Sequence, residues 1–291
     1  MGNNSKAFGG GRYSDLPLRI LSAVVLAGFA IWCTWIGGKT FLLLSVVFSA
    51  LIFFEFRGMV KTELPFRIAA AAAVLLLLLY ASYLVERPGT GMFIVAGGAV
   101  LIALWEFVIR RSAWGSVALV YAGFPFIAMV EMRSGEYGFF IILFVFACVW
   151  GADSFAYFAG KGIGGPKLAP AISPNKTWSG FFGGLAGAVI ISAALAFAFS
   201  LGPGLAAAGL ALVLALAAQA GDLFESWVKR RFDLKDSGNL IPGHGGVLDR
   251  IDGFIFAIAV AWTIAVMVAP AGLRSDPLTT GFAQTFFDLP R

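Results

Sequence analysis

The 291-residue sequence has few charged residues, two cysteines and a single histidine. Charged residues make up 13% of the chain and hydrophobic residues 59%, whereas an ordinary soluble domain is about 25% charged. This composition argues against a soluble domain and predicts an integral membrane protein. Cys33 and Cys148 both lie in apolar segments, so we expect buried free thiols and neither a disulfide nor a cysteine metal site.

Several familiar signals are also missing. No cleavable signal peptide is evident, so we expect the first apolar stretch to be retained as a helix. No Gly-Lys-Ser/Thr follows a glycine at the spacing of a nucleotide-binding P-loop. No convincing internal repeat is present, which weakens the case for an inverted-repeat transporter. We expect no nucleic-acid partner.

Long apolar segments, in contrast, are abundant. A membrane-spanning helix needs about 20 largely apolar residues, and nine segments approach or exceed that length. They are residues 18–36, 40–60, 66–85, 91–109, 114–132, 138–160, 178–201, 203–228 and 249–270. We therefore predict an all-α, polytopic integral membrane protein with about nine transmembrane helices.

The positive charges lie mostly on one side of these predicted helices. If the N-terminus is cytoplasmic, 16 of the 21 lysines and arginines fall on the inner side and 5 on the outer side. Because cytoplasmic loops are enriched in lysine and arginine, we predict a cytoplasmic N-terminus and a C-terminus outside. We expect the protein in the cell (inner) membrane, with its site on the cytoplasmic side.

Polar residues are concentrated in the second half of the chain. Residues 1–137 are interpreted as an N-terminal five-span scaffold region. Residues 138–291 are interpreted as a C-terminal four-span catalytic region with cytoplasmic loops 161–177 and 229–248. Within span six, the insertion of Asp153 into the membrane would cost on the order of 2.5–3.5 kcal/mol at mid-helix. We therefore expect it to face a polar cavity, or else an interhelical hydrogen-bond partner.

The loop before span seven carries Ser173, Asn175, Lys176 and Thr177. A lysine with hydroxyl and amide side chains directly before a helix can bind phosphate at the helix N-terminus. Lysines are also ordinary in cytoplasmic loops, so the spacing alone does not decide between these two interpretations.

Spans eight and nine each carry acids on one face. The polar residues of span eight follow the i, i+3, i+4 and i+7 spacing of a single helix face: Asp222, Glu225, Ser226 and Lys229. Asp249 and Asp252 are three residues apart at the start of span nine. If the two helices meet at the inner boundary, Asp222 and Asp249 could share a metal ion. Helix capping would explain an acid at the start of span nine, but it does not explain Asp222.

Residues 226–252 are the densest polar stretch, with five cations, four aspartates and the only histidine, His244. Lysine and arginine neutralise phosphate oxygens, and hard carboxylates suit Mg²⁺. The glycines around His244 allow the backbone to approach a ligand closely. A solvated positive loop is the alternative interpretation, but the acids and glycines together favour a phosphate-and-metal site.

This stretch resembles the signature of the phosphatidate cytidylyltransferases, also called CDP-diacylglycerol synthases. The matching residues are Ser226, Val228, Lys229, Arg230, Lys235, Asp236, Gly238, Ile241, Pro242, His244, Gly245, Gly246, Val247, Asp249, Arg250, Ile251 and Asp252. Three shorter elements are also similar: Asp153 with Ala156 and Tyr157, the Ser-Pro-x-Lys-Thr run at 173–177, and the Gln-x-Gly-Asp-Leu-x-Glu-Ser run at 219–226. The resemblance covers roughly residues 150–255.

The resemblance implies an enzyme of phospholipid biosynthesis that transfers CMP from CTP to phosphatidic acid, giving CDP-diacylglycerol and pyrophosphate. It implies Mg²⁺, a second cation such as K⁺, and a homodimer. The implied catalytic residues are Asp222, Asp249, Lys229, Arg250 and His244, and the implied metal ligands are Asp222, Asp249, Asp153 and Glu225. The implied substrate-binding residues are Ser173, Asn175, Lys176, Thr177, Ser226, Arg230, Lys235, Asp236, Gly245, Gly246 and Asp252.

Two other functions are alternatives. A cation-coupled membrane transporter would use Asp153 and Asp222 as ion ligands near the midplane, whereas most polar residues here lie at one predicted face. A CTP-dependent lipid kinase, such as a polyprenol kinase, would have similar site chemistry and transfer the γ-phosphate. The full signature at 226–252 favours the cytidylyltransferase.

Overall fold

The structure, a computed structural model, describes residues 16–60, 66–85, 89–110, 112–202, 204–238, 240, 245–268 and 277–287. Its helices are α1 (Leu16–Ile36), α2 (Gly38–Met59), α3 (Phe66–Leu84), α4 (Gly89–Arg110), α5 (Trp114–Arg133), α6 (Gly138–Gly162), α7 (Trp178–Ala198), α8 (Leu205–Arg231), α9 (Leu248–Val268) and α10 (Pro277–Phe286). Two strands, β1 (Lys167–Ala169) and β2 (Ser173–Thr177), lie between α6 and α7.

Each of the nine predicted apolar segments coincides with one of the helices α1–α9. Seven helices within the described ranges, α2 and α4–α9, are long and apolar enough to cross a membrane. In α1 and α3 the apolar stretches Val24–Ile36 and Ala70–Leu84 are shorter. The predicted helical membrane architecture is thus confirmed, whereas the count of nine spans and the sides of the two termini stay predictions.

Helix α10 was not predicted from the sequence. At ten residues it is half the length needed to span a bilayer, so a search for long apolar segments passes over it. It is nevertheless part of the core, since Phe282 and Ala283 are fully buried. Just after it, Phe287 packs edge-on against Phe140 and Phe144 of α6, with ring centroids 4.9 and 5.0 Å apart.

The two strands form an antiparallel hairpin within the loop predicted at 161–177. Lys167 lies opposite Thr177, and Ala169 lies opposite Ser173. The backbone N–H of Trp178 donates to the carbonyl of Pro166 at 3.1 Å, which closes the base of the hairpin against the start of α7. The hairpin therefore holds its second strand at a defined distance from the helices, which a loop prediction did not anticipate.

The core consists of two neighbouring apolar clusters. One is built mainly from α6–α10 and the other mainly from α2–α5. Residues of α5 and α9 contribute to both, and Ile251 and Trp262 of α9 pack against both. These shared helices join the two clusters. The predicted division at residue 137 stays a prediction.

Glycines allow α6 and α7 to pack with their backbones almost in contact. A Cβ atom at Gly180 would lie 2.9 Å from the carbonyl oxygen of Ala156, and one at Gly184 would lie 2.9 Å from that of Ala152. Larger side chains at these positions would push the helices apart. The close packing keeps Asp153 of α6 near the hairpin that precedes α7.

Candidate active site

The C-terminal half of α8 presents the polar face that its spacing predicts. The Ser226 hydroxyl donates to Asp222 Oδ1 at 3.4 Å, and Lys229 Nζ lies 2.9 Å from Glu225 Oε2. The helix has 27 residues and is therefore about 40 Å long, which exceeds the hydrocarbon thickness of about 30 Å. The helix thus continues past its apolar part.

Small residues bring α9 against this face of α8. A Cβ atom at Gly221 would lie 2.5 Å from the carbonyl oxygen of Asp252, and one at Gly253 would lie 3.1 Å from that of Ala218. The two helices can approach this closely only because these positions carry glycine. As a result, the acids at the start of α9 lie beside the acids near the end of α8.

Lys229 lies at the centre of the contact between the two helices. Its Nζ atom is 2.7 Å from Asp249 Oδ1 and 2.9 Å from Glu225 Oε2. The three side chains are 13%, 11% and 1% exposed, respectively. One ammonium group thus compensates two largely buried carboxylates from different helices.

Asp249 also holds two segments of the connection between α8 and α9. The backbone N–H of Ser237 donates to both of its carboxylate oxygens at 3.0 and 3.2 Å, and that of Gly246 donates to Oδ2 at 2.9 Å. Gly245 has φ +81°, and a Cβ atom there would lie 2.7 Å from Asp249 Oδ2. The left-handed backbone and the close approach both require glycine at this position.

A second ion pair joins the hairpin to α8. Lys176 Nζ lies 2.6 Å from Asp222 Oδ2, with both side chains partly exposed. Asp153 of α6 interacts electrostatically with Asp222 and Lys176, and Asp252 of α9 does so with Asp222 and Glu225. The acids predicted from separate segments therefore converge, together with two lysines, where α6, β2, α8 and α9 meet.

The donor set of this cluster fits a cation. Glu225 Oε1 is buried and accepts no N–H or hydroxyl hydrogen bond from the described residues. Asp252 of α9 lies close enough to Glu225 for the two charges to interact, and neighbouring carboxylates favour a proton or a cation between them. Within the described part of the chain, however, no three acidic, histidine or cysteine side chains already have the arrangement of a metal site.

The other predicted residues of the hairpin have defined positions. Ser173 is partly buried and Asn175 is exposed. Thr177 is buried and caps α7, since its Oγ1 accepts the N–H of Gly180 at 3.1 Å. Arg230 donates to the carbonyl of Ile172 at 3.3 Å, so the end of α8 is attached to the turn of the hairpin.

The remaining predicted residues lie in the connection between α8 and α9 or in the first turn of α9. Lys235, Asp236 and Arg250 are exposed, whereas Gly246 is buried. His244 lies outside the described residues. The roles assigned to these side chains stay predictions.

A sequence model of the cytidylyltransferase family matches residues 17–268 of the chain. The chain belongs to the cytidylyltransferase family. It is 40% identical over 266 residues to a protein of Brucella abortus biovar 1 (strain 9-941) named phosphatidate cytidylyltransferase, and the alignment covers 90% of this chain and 97% of that relative. A protein of the same name from Bacillus subtilis (strain 168) is 34% identical over 259 residues, covering 84% of this chain and 95% of the relative.

In this member of the cytidylyltransferase family, one residue in contact with the site was not identified from the sequence. Glu55 of α2 is buried, and its carboxylate accepts the backbone N–H groups of Val247 and Leu248. Its helix lies in the region interpreted from the sequence as a scaffold. Glu55 is the only acid in α2, between Phe54 and Phe56. This was the available signal, since an acid within an apolar stretch needs a polar partner.

Proposed function

We propose that the protein is a phosphatidate cytidylyltransferase, which transfers CMP from CTP to phosphatidic acid and releases pyrophosphate. Membership of the cytidylyltransferase family and the names of its relatives support this activity. The structural observation that carries the proposal is the contact of Lys229 with both Glu225 and Asp249 where α8 and α9 meet. It joins the halves of the predicted signature into one charged site.

The proposed reaction needs positioning and charge neutralisation more than covalent chemistry from the protein. An oxygen of the phosphatidate phosphate attacks the α-phosphorus of CTP, and the bond from that phosphorus to the pyrophosphate oxygen breaks. A phosphate monoester is already largely deprotonated near pH 7, so no general base is required. The cations proposed to neutralise phosphate charge are Lys176, Lys229, Arg230, Lys235 and Arg250.

The acids of the cluster are the proposed ligands of Mg²⁺. Asp222 and Asp249 would hold it, with Asp153 and Glu225 as further ligands, and the proximity of Asp252 to Asp222 and Glu225 makes it another candidate. Bound Mg²⁺ would neutralise charge on the triphosphate oxygens. A second cation such as K⁺ is part of the proposal.

The remaining substrate contacts would come from the loops. We propose that His244, Gly245 and Gly246 shape the nucleotide pocket, with Asp236 beside them and Ser226 on the polar face of α8. The hairpin residues Ser173, Asn175 and Thr177 would bind the nucleotide together with Lys176.

We further propose nine membrane spans, a cytoplasmic N-terminus, a C-terminus outside, and a homodimer in the inner membrane. The distribution of positive charges supports this orientation. It puts the end of α6, the hairpin, the end of α8 and the start of α9 on the cytoplasmic side, where CTP is available. The lipid substrate would reach the same level from the bilayer.

The test is product formation by detergent-purified protein from labelled CTP and phosphatidic acid, with and without Mg²⁺. We expect a labelled CDP-lipid that requires both substrates and the metal, and that disappears when EDTA removes the metal. A phospholipid labelled from γ-labelled CTP would instead indicate a lipid kinase. Folded protein that makes neither product would contradict the proposal, and ion-flux assays in liposomes would then test a transporter.

A further inference from the structure

A buried glutamate on α2 holds the start of α9. Glu55 is 6% exposed, and its two carboxylate oxygens accept the backbone N–H groups of Val247 at 2.9 Å and Leu248 at 2.7 Å. The first N–H groups of a helix have no partner within the helix, and the helix dipole favours a negative charge there. Glu55 therefore fixes the point at which α9 begins.

The same carboxylate occupies the space beside two glycines of the 226–252 stretch. A Cβ atom at Gly238 would lie 2.9 Å from Glu55 Oε1, and one at Gly246 would lie 2.8 Å from both oxygens. Side chains at these two positions would collide with Glu55 unless the backbone moved. The glycines are therefore explained in part by a residue of the first half of the chain.

Glu55 reaches the charged site through two backbone groups. Val247 and Leu248 lie between Gly246, whose N–H binds Asp249 Oδ2, and Asp249 itself. A shift of this short segment would move Asp249 away from Lys229, which it contacts at 2.7 Å. Glu55 itself has no contact with Lys229 or Asp249 among the hydrogen bonds and ion pairs of the described residues.

We propose that Glu55 is a positioning residue of the transferase, which sets the backbone at Val247 and Leu248 so that Asp249 keeps its place in the site. The proposal rests on the proposed function, because its effect on turnover presupposes a role for Asp249 in catalysis. It also assigns part of the site to α2, in the region interpreted from the sequence as a scaffold.

Glu106 provides a matched control. It is fully buried, and its Oε2 accepts the backbone N–H groups of Gly115 at 2.8 Å and Ser116 at 3.4 Å at the start of α5. It is thus a second buried glutamate on one helix that binds the N-terminus of another. None of the predicted site residues lies on α4 or α5, so Glu106→Gln removes the charge of a buried glutamate at a helix N-terminus without altering a predicted site residue.

The experiment compares Glu55→Gln and Glu106→Gln with the wild type as full-length, purified protein. Glutamine keeps the volume but replaces one acceptor oxygen with an amide NH₂, which cannot accept a backbone N–H. We expect Glu55→Gln to lower kcat about tenfold, equivalent to the loss of one hydrogen bond to a charged group, with a smaller change in the KM for CTP. Glu106→Gln should keep the wild-type kcat even where it lowers stability.

Amide hydrogen exchange supplies a readout that does not depend on activity. Peptides that cover residues 236–250 should exchange faster in Glu55→Gln than in the wild type. Their exchange rate should be unchanged in Glu106→Gln. If Glu55→Gln does not fold, Glu55→Asp replaces it, because it keeps the charge and withdraws the carboxylate by one methylene.

The outcomes separate the two proposals. An active wild type with equal kcat in both glutamine variants, or unchanged exchange of residues 236–250 in Glu55→Gln, overturns the positioning role. A wild type that makes no CDP-lipid refutes the proposed function instead. In that case exchange alone decides, and faster exchange restricted to the Glu55 variant still supports the positioning of this segment.

Discussion

Asp222 and Asp249 are both proposed to act in catalysis, but they should differ in their contribution to stability. Asp222 pairs with Lys176 at 2.6 Å, and the two side chains are 35% and 23% exposed. Pairs with this much solvent contact contribute about 0–1 kcal/mol. Asp222→Asn should therefore leave the free energy of unfolding almost unchanged while abolishing turnover.

Asp249→Asn should destabilise the protein as well as abolish turnover. Asp249 is 11% exposed and accepts hydrogen bonds from Lys229, Ser237 and Gly246. The substitution removes the charge that faces Lys229 and sets an amide NH₂ opposite N–H donors. Breaking a buried pair costs about 3–5 kcal/mol. Because Lys229 keeps its contact with Glu225, we expect a loss of about 2–3 kcal/mol.

The two free energies can be measured by titrating each purified variant with SDS in mixed micelles and following tryptophan fluorescence. Turnover is measured in parallel from labelled CTP and phosphatidic acid at several Mg²⁺ concentrations. Equal unfolding free energies for the two variants would refute the larger contribution of Asp249 to stability. An Asp222→Asn protein with most of its activity and a normal Mg²⁺ dependence would show that the metal assignment is wrong.

Two further predictions concern the hairpin. Thr177→Ala should cost about 1 kcal/mol of stability, because it removes the side chain that caps α7. Thr177→Ser should keep the cap, and an equal loss in both variants by SDS titration would contradict this role. Asn175→Cys should react with a membrane-impermeant maleimide in inside-out vesicles and not in intact cells, since Asn175 is exposed and predicted to be cytoplasmic. The native Cys33 and Cys148 are buried and should stay unlabelled, and labelling of intact cells would reverse the proposed orientation.

The helices could be predicted from the sequence because a bilayer imposes a simple length rule. Each span must contain about 20 apolar residues whose backbone groups bond within the helix, and that rule found α1–α9. It passed over α10, which is short and packs mainly against α9. It also passed over the hairpin, whose strands of three and five residues are too short for a periodic pattern.

The site residues that share one helix could also be predicted from the sequence. Residues spaced i, i+3, i+4 and i+7 share a face of any helix, so the alignment of Asp222, Ser226 and Lys229 followed from their spacing alone. The resemblance of residues 226–252 to a family signature marked the segment that contains Lys229 and Asp249. Neither kind of information describes which face of one helix meets which face of another.

The tertiary structure determines which helix faces meet. Lys229 could have paired with Glu225 only, within its own helix, but the glycine contacts between α8 and α9 also bring Asp249 to it. Glu55 is almost two hundred residues from Val247 in the chain, and no spacing rule connects them. The sequence by itself determined the helices and the polar face of each, because hydrogen bonding and hydrophobic burial along one helix are local. Which polar faces meet depends on how small and large side chains pack between helices, and only the folded chain decides that.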